Sequence, residues 1–203
     1  MIDGGHLLHL LPWPHHSSYK TLVDLYSSYV LKHYGAATIV FDGYSTKSSI
    51  KDMTHARRSS GKIGPTIDFK IDMTLTVPKK IFLSNERNKQ QFINTLAHHL
   101  RQKGCPTIQA PEDADLYIVL EAMKQAEKNS TVIIGADTDL LALSIYYFDE
   151  TAHKNVYISG HWSSQSSKKH NIKYWDVKRL KSAMGPVSSR ILFCHALLGC
   201  DTT

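Results

Sequence analysis

Thirteen of the eighteen acidic residues in this 203-residue chain are aspartates, and several stand where an apolar run gives way to a turn or a helix start. The run Val132-Ile133-Ile134-Gly135-Ala136 delivers Asp137 and Asp139, Val40-Phe41 delivers Asp42, and Met1-Ile2 delivers Asp3. Asp113 and Asp115 open a helical pattern, and Asp201 follows another. Two carboxylates so close in sequence repel each other unless something cationic lies between them. Their hard oxygen donors suit magnesium or manganese. Two such ions, roughly 3.5 to 4 Å apart, would clamp the attacking and leaving oxygens of an in-line phosphoryl displacement. Taken one at a time, the same acids also read as helix caps and first-turn residues favoured by the helix dipole. The repetition of one pattern is what favours the metal.

The elements that must position these acids follow from periodicity. Ala37 to Phe41, Pro106 to Gln109, the run before Gly135 and Asn155 to Ser159 read as short buried strands, and Met1 to Asp3 as the end of another. Helices are expected from Ser17 or Ser18 to about His33, stopped by Gly35, and from Asn85 to Lys103, stopped by Gly104. Further helices are expected from the 113–115 acids toward Lys128, from Leu140 to Tyr147, from Asp176 to Met184 and from Val187 to Leu198. The last would carry an apolar face of Ile191, Leu192, His195 and Leu198, in which His195 reads as a satisfied core or supporting histidine rather than a catalyst. Gly61 to Lys80 is a strand, a hairpin or an irregular stretch. Strands alternating with helices predict an α/β fold, with a mainly parallel central sheet flanked by helices on both faces. In such sheets ligands bind outside the carboxyl ends of the strands, where these acids would gather.

Composition narrows the class. The length suits one domain, 1–203. No segment has the apolar length of a membrane span or the pattern of a secretory signal, so an intracellular protein without a membrane partner is expected. Cys105, Cys194 and Cys200 are odd in number and lack Cys-x-x-Cys spacing, so neither a disulfide framework nor a structural zinc site is indicated. Charge is uneven. From Lys47 to Lys103 there are 12 Lys or Arg against 4 Asp or Glu, a net +8 in a chain whose total is +6. A basic segment beside an acidic remainder suits a polyanion held by cations while its reactive phosphate enters a metal-loaded pocket.

Val40-Phe41-Asp42-Gly43, Ala110-Pro111-Glu112-Asp113-Ala114-Asp115, Ala136-Asp137-Thr138-Asp139-Leu140-Leu141 and Leu197-Leu198-Gly199-Cys200-Asp201 resemble, in order and approximate spacing, the acidic motifs of the flap-endonuclease/XPG nucleases of the PIN-like superfamily. The resemblance implies a divalent-metal-dependent phosphodiesterase acting on nucleic acid, DNA ahead of RNA, in the nucleus ahead of the cytoplasm. It assigns Asp3, Asp42, Asp113 and Asp115 to a first metal site and Asp137, Asp139 and Asp201 to a second, with some sharing. It also implies that 44–80 is a basic, arch-like insertion whose Lys47, Lys51, Arg57 and Arg58 hold the scissile phosphate. The departures are two: the third motif has Asp113 and Asp115 where the family carries Glu, and the chain stops before the family's helix-two-turn-helix. The second departure suggests a fragment of a longer protein. Together they motivate the alternative expectation, a nucleic-acid-binding or scaffold domain of the same fold with weakened catalysis. A small-molecule phosphatase ranks below both, because it would leave the basic segment without a role.

Overall fold

The structure is a computed structural model that describes residues 1–43, 64–111, 113–160 and 173–198. It has six strands: β1 (Ile2–Asp3), β2 (Ile39–Phe41), β3 (Thr107–Gln109), β4 (Thr131–Ile134), β5 (Val156–Gly160) and β6 (Lys173–Asp176). They form a mostly parallel sheet in the order β3-β2-β1-β4-β5-β6, with helices between them, so the α/β expectation holds. The residues group into two compact units, one of Met1–Leu7 with Asp113–Thr203 and one of Leu8–Glu112.

In the first unit, β1, β4 and β5 are parallel and β6 runs antiparallel to β5. The β-branched residues of β4 and β5 supply the core through Ile133, Ile134, Val156 and Ile158, all buried. Helix α5 (Ala114–Ala126) packs on β4 and on α6 (Thr138–Tyr147). Its buried face is Ala114, Ile118, Val119, Ala122, Met123 and Ala126, in which the three alanines let the backbone come close. Helix α6 buries Leu140, Ala142 and Ile145. The antiparallel β6 carries no sequence signal that distinguishes it from a loop end.

Helix α7 (Val177–Met184), capped by Asp176, fills the span expected from Asp176 to Met184, whereas the expected helix from Val187 to Leu198 is corrected. Gly185–Arg190 is a 3-10 turn and only Ile191–Leu198 is α-helical. Pro186 starts the turn, and Ser188 and Ser189 donate their hydroxyls to the carbonyls of Gly185 and Pro186 at 2.7 and 2.8 Å, favouring the tighter winding. None of the residues 191–198 is buried, and Leu198, expected on an apolar face, is 86% exposed.

In the second unit, β2 and β3 pair in parallel, Ile39 to Thr107 and Phe41 to Gln109. Helix α2 (Tyr19–Tyr34) begins where the Ser18 hydroxyl accepts from the Thr21 amide and ends at Gly35, whose φ of 66° favours glycine. Helix α4 (Glu86–Gln102) starts in the same way at Asn85 and is followed by Gly104 at φ 83°. Two helices were not legible. Helix α1 (Gly4–Leu10) begins on two glycines, poor helix formers that packing overrides, since Leu7 and Leu8 are fully buried. Helix α3 (Lys79–Leu83) starts at the end of the Gly61 to Lys80 stretch, whose pattern allows strand, hairpin or irregular chain, and runs past it. Residues 64–78 before it are irregular apart from one bridge between Ser18 and Thr74. The Lys79 ammonium donates to the carbonyls of His9 and Leu11, completing the end of α1. The aromatic core of this unit stacks Tyr19 on Phe69 at 3.8 Å, with Phe82, Phe92 and Trp13 around it.

Candidate metal centre

Pairing of Ile2 with Ile134 makes β1 and β4 end side by side, so Asp3 and Gly135 are neighbours at the carboxyl edge of the sheet. Gly135 is glycine for a packing reason. A Cβ there would lie 2.5 Å from the Leu140 side chain, 3.4 Å from the Asp3 Cβ and 3.7 Å from an Asp3 carboxylate oxygen. The same edge carries the chain into Asp137, and the strand order changes direction between β1 and β4, the position where open α/β sheets bind ligands.

Asp137 is the N-cap of α6, its Oδ1 accepting from the Asp139 amide at 2.9 Å. Asp113 caps α5 in the same manner, its Oδ1 accepting from the Asp115 amide at 3.1 Å. Two Asp-x-Asp turns therefore begin two packed helices. The cap in each is the first aspartate, and the second stands in the first helical turn. Capping explains why Asp113 and Asp137 occur at these places; it does not explain why the turns converge. One carboxylate oxygen from each of Asp115, Asp137 and Asp139 lies within 4.8 Å of the other two. None of the three side chains is buried, and no ion is needed to keep the helix starts hydrogen-bonded.

Among the described residues this is the one group of three acidic, histidine or cysteine ligands close enough to share an ion. Its chemistry fits a hard divalent cation: three oxygen donors, no thiol and no imidazole, on side chains that are not buried. Three negative charges converging on two helix N-termini are partly offset by the helix dipoles, whose influence fades within a turn. A cation at the cluster would add to that offset.

The other expected ligands fall elsewhere. Asp3 lines the same edge, its Oδ1 accepting from the Gly5 amide at 2.8 Å, and stands outside the mutual set. Asp113 is the cap of α5. Asp42 follows β2 in the second unit, where Gly43 is forced to be glycine: a Cβ would sit 1.9 Å from the Ala110 carbonyl oxygen and 2.7 Å from Pro111. Asp201 and the basic residues Lys47, Lys51, Arg57 and Arg58 lie outside the described residues.

One residue joins the site that the sequence assigned only a supporting part. His195, on α8 (Ile191–Leu198), places Nε2 2.6 Å from Oδ1 of Asp139. The only signal for it was a lone polar residue among Ile191, Leu192 and Leu198, which cannot say what it faces 56 positions away.

Comparison of the chain with protein-family models, with curated proteins and with solved structures gives no match.

Proposed function

We propose that this chain is a divalent-metal-dependent nuclease that hydrolyses phosphodiester bonds of nucleic acid. The observation that carries the reading is the convergence of Asp115, Asp137 and Asp139, from two helix starts, at the sheet edge that also carries Asp3. Support comes from the basic segment Lys47–Lys103, whose net +8 suits a polyanion, and from the resemblance of the acidic motifs to flap-endonuclease-like nucleases. No described helix is long and apolar enough to cross a membrane, in keeping with a partner in water.

In this reading the three carboxylates hold magnesium or manganese, and Asp3 faces the same edge. The bound ion would act as a Lewis acid on a phosphodiester oxygen and make a bound water more acidic. The chain's own residues do the placing. The Asp137 and Asp113 caps fix where α6 and α5 begin, and so fix Asp139 and Asp115 one residue further into each helix. Gly135 leaves room for Asp3 and Leu140 against the strand end.

Asp137→Asn separates cap from charge, because asparagine caps a helix about as well as aspartate. Cleavage of single-stranded and flapped DNA and of RNA in Mn2+ is expected to fall by about a thousandfold, since the ion's charge stabilisation is worth several kcal/mol and each 1.36 kcal/mol is tenfold in rate. The circular dichroism spectrum is expected to stay that of the parent. Undiminished cleavage by both Asp137→Asn and Asp139→Asn would overturn the proposal. The alternative, a nucleic-acid-binding domain that has lost cleavage, draws on the same cluster: three acids suffice for one ion, whereas the resemblance implies two. Salt-sensitive binding without cleavage by the parent chain would decide for that alternative.

A further inference from the structure

We propose that His195 is the positioning residue of this centre: with its proton on Nε2 it donates to Oδ1 of Asp139 and holds that carboxylate in the rotamer that meets Asp115 and Asp137. The inference rests on the metal reading above and adds a residue to it. Asp139 is 37% exposed and, among the described residues, His195 is the side chain that bonds its carboxylate, whereas the Asp137 carboxylate is already fixed by its cap. A half-exposed carboxylate turns among rotamers unless something holds it, and a site whose ligands are held in place binds its ion at lower entropic cost. The 2.6 Å separation is short for a nitrogen-to-oxygen bond and marks a strong one.

The imidazole stands beside the acidic set and not in it. Among the described residues, the three aspartates are the set whose ligand atoms all lie within 4.8 Å of one another. His195 also comes from a helix that buries none of its residues and packs against α6 and the 3-10 turn, so its bond to Asp139 ties α8 to the metal edge. Partners of this kind, hydrogen-bonded to a ligating carboxylate, alter metal affinity by about 10- to 100-fold when removed.

The test uses the full chain and Mn2+, followed by the electron paramagnetic resonance of the free ion, with Asp139→Asn, His195→Ala and His195→Gln beside the parent. His195→Ala is expected to weaken Mn2+ binding about tenfold or more, at an unchanged circular dichroism spectrum. His195→Gln, whose amide can still donate, is expected to recover most of the loss. A merely structural histidine would show no such rescue. In the parent without metal, the long-range 15N–1H spectrum of His195 is expected to show a protonated Nε2. If Asp139→Asn loses Mn2+ while His195→Ala binds it like the parent, the positioning role is overturned and the metal centre stands. If glutamine is as poor as alanine, donation by residue 195 is likewise overturned. A parent chain that binds no Mn2+ overturns the metal reading first, and this inference with it.

Discussion

Asn85 and Asn88 in one unit, and Asp115, Asp137 and Asp139 in the other, are both polar clusters at the start of a helix, built on opposite principles. Asn88 is fully buried and every polar atom of its side chain is used. Its Oδ1 accepts from the Ile67 amide at 2.8 Å, and its Nδ2 donates to Pro65 at 2.9 Å and toward Phe82 at 3.4 Å. Asn85 caps α4 by accepting from the Asn88 amide and donates to the Gly64 carbonyl and the Thr66 hydroxyl. Neutral groups, complementary and dry, tie an irregular segment to a helix. The aspartate cluster gathers groups of one sign at the sheet edge, where the first aspartate of each Asp-x-Asp turn caps a helix. The first arrangement stabilises the fold through its own bonds; the second gathers like charges that water, helix termini or a cation can offset, and it is the arrangement on which the proposed metal centre rests.

The largest effect on stability is expected where the satisfied cluster is broken. Asn88→Ala would leave the Ile67 amide and the Pro65 carbonyl without their partner, and each unmade buried bond costs about 1–3 kcal/mol. Urea unfolding is expected to show a loss of about 3 kcal/mol. A loss below about 1 kcal/mol would mean that the asparagine network is incidental, and would erase the contrast with the acids.

The next effect sharpens the same contrast through a buried hydroxyl. Tyr26 donates to the Leu8 carbonyl at 2.7 Å and accepts from the Trp13 indole at 3.0 Å. Burial pushes its phenol up from 10.0 to about 12, with the Trp13 bond pulling slightly the other way. A group whose folded pKa is raised contributes stability that is complete below pH 10 and is lost as the pH climbs through 12. The loss amounts to about 2–3 kcal/mol at 1.36 kcal/mol per pKa unit. Tyr26→Phe is expected to flatten this alkaline limb in unfolding curves taken from pH 9 to 12. An unchanged limb would assign it to other groups.

How much of this was legible in the sequence depends on how local each signal is. Ser18 with Gly35, and Asn85 with Gly104, declare the ends of α2 and α4 because cap and stop are decided by residues within one turn. Asp137 and Asp139 were legible as the end of a strand because the apolar run, the glycine and the acids are contiguous. The meeting of Asp115 with them was legible only through the recurrence of one pattern and the strand-alternation argument. The Asn85–Asn88 network was not: polar residues that bind irregular chain have no period to betray them. Nor was the role of His195, since its partner is 56 positions distant. Asp113 shows the limit from the other side. Its type and spacing match those of Asp137, and both serve as caps, but only Asp137 joins the mutual set.

The smallest effect on stability, and the one that tests the contrast most directly, is expected at Asp115. Asp115→Asn removes one of three converging charges, which relieves repulsion with Asp137 and Asp139. It also removes an acid from the first turn of α5, where the dipole interaction is worth about 0.3–1 kcal/mol. The two changes oppose each other, and the asparagine amide keeps one oxygen for the further contact that Asp115 makes, so the unfolding free energy without metal is expected to move by less than about 0.5 kcal/mol, unlike the large loss at Asn88. Added Mn2+ separates the parent from the variant. An ion that binds only the folded chain stabilises it by about 2.7 kcal/mol at a hundred times its dissociation constant, so the parent's urea midpoint is expected to rise with Mn2+ while that of Asp115→Asn stays nearly level. Parent and variant rising together would place the ion elsewhere. A loss of about 2 kcal/mol in the variant without metal would make the acids a structural cluster after all, held by bonds of the kind that hold Asn88.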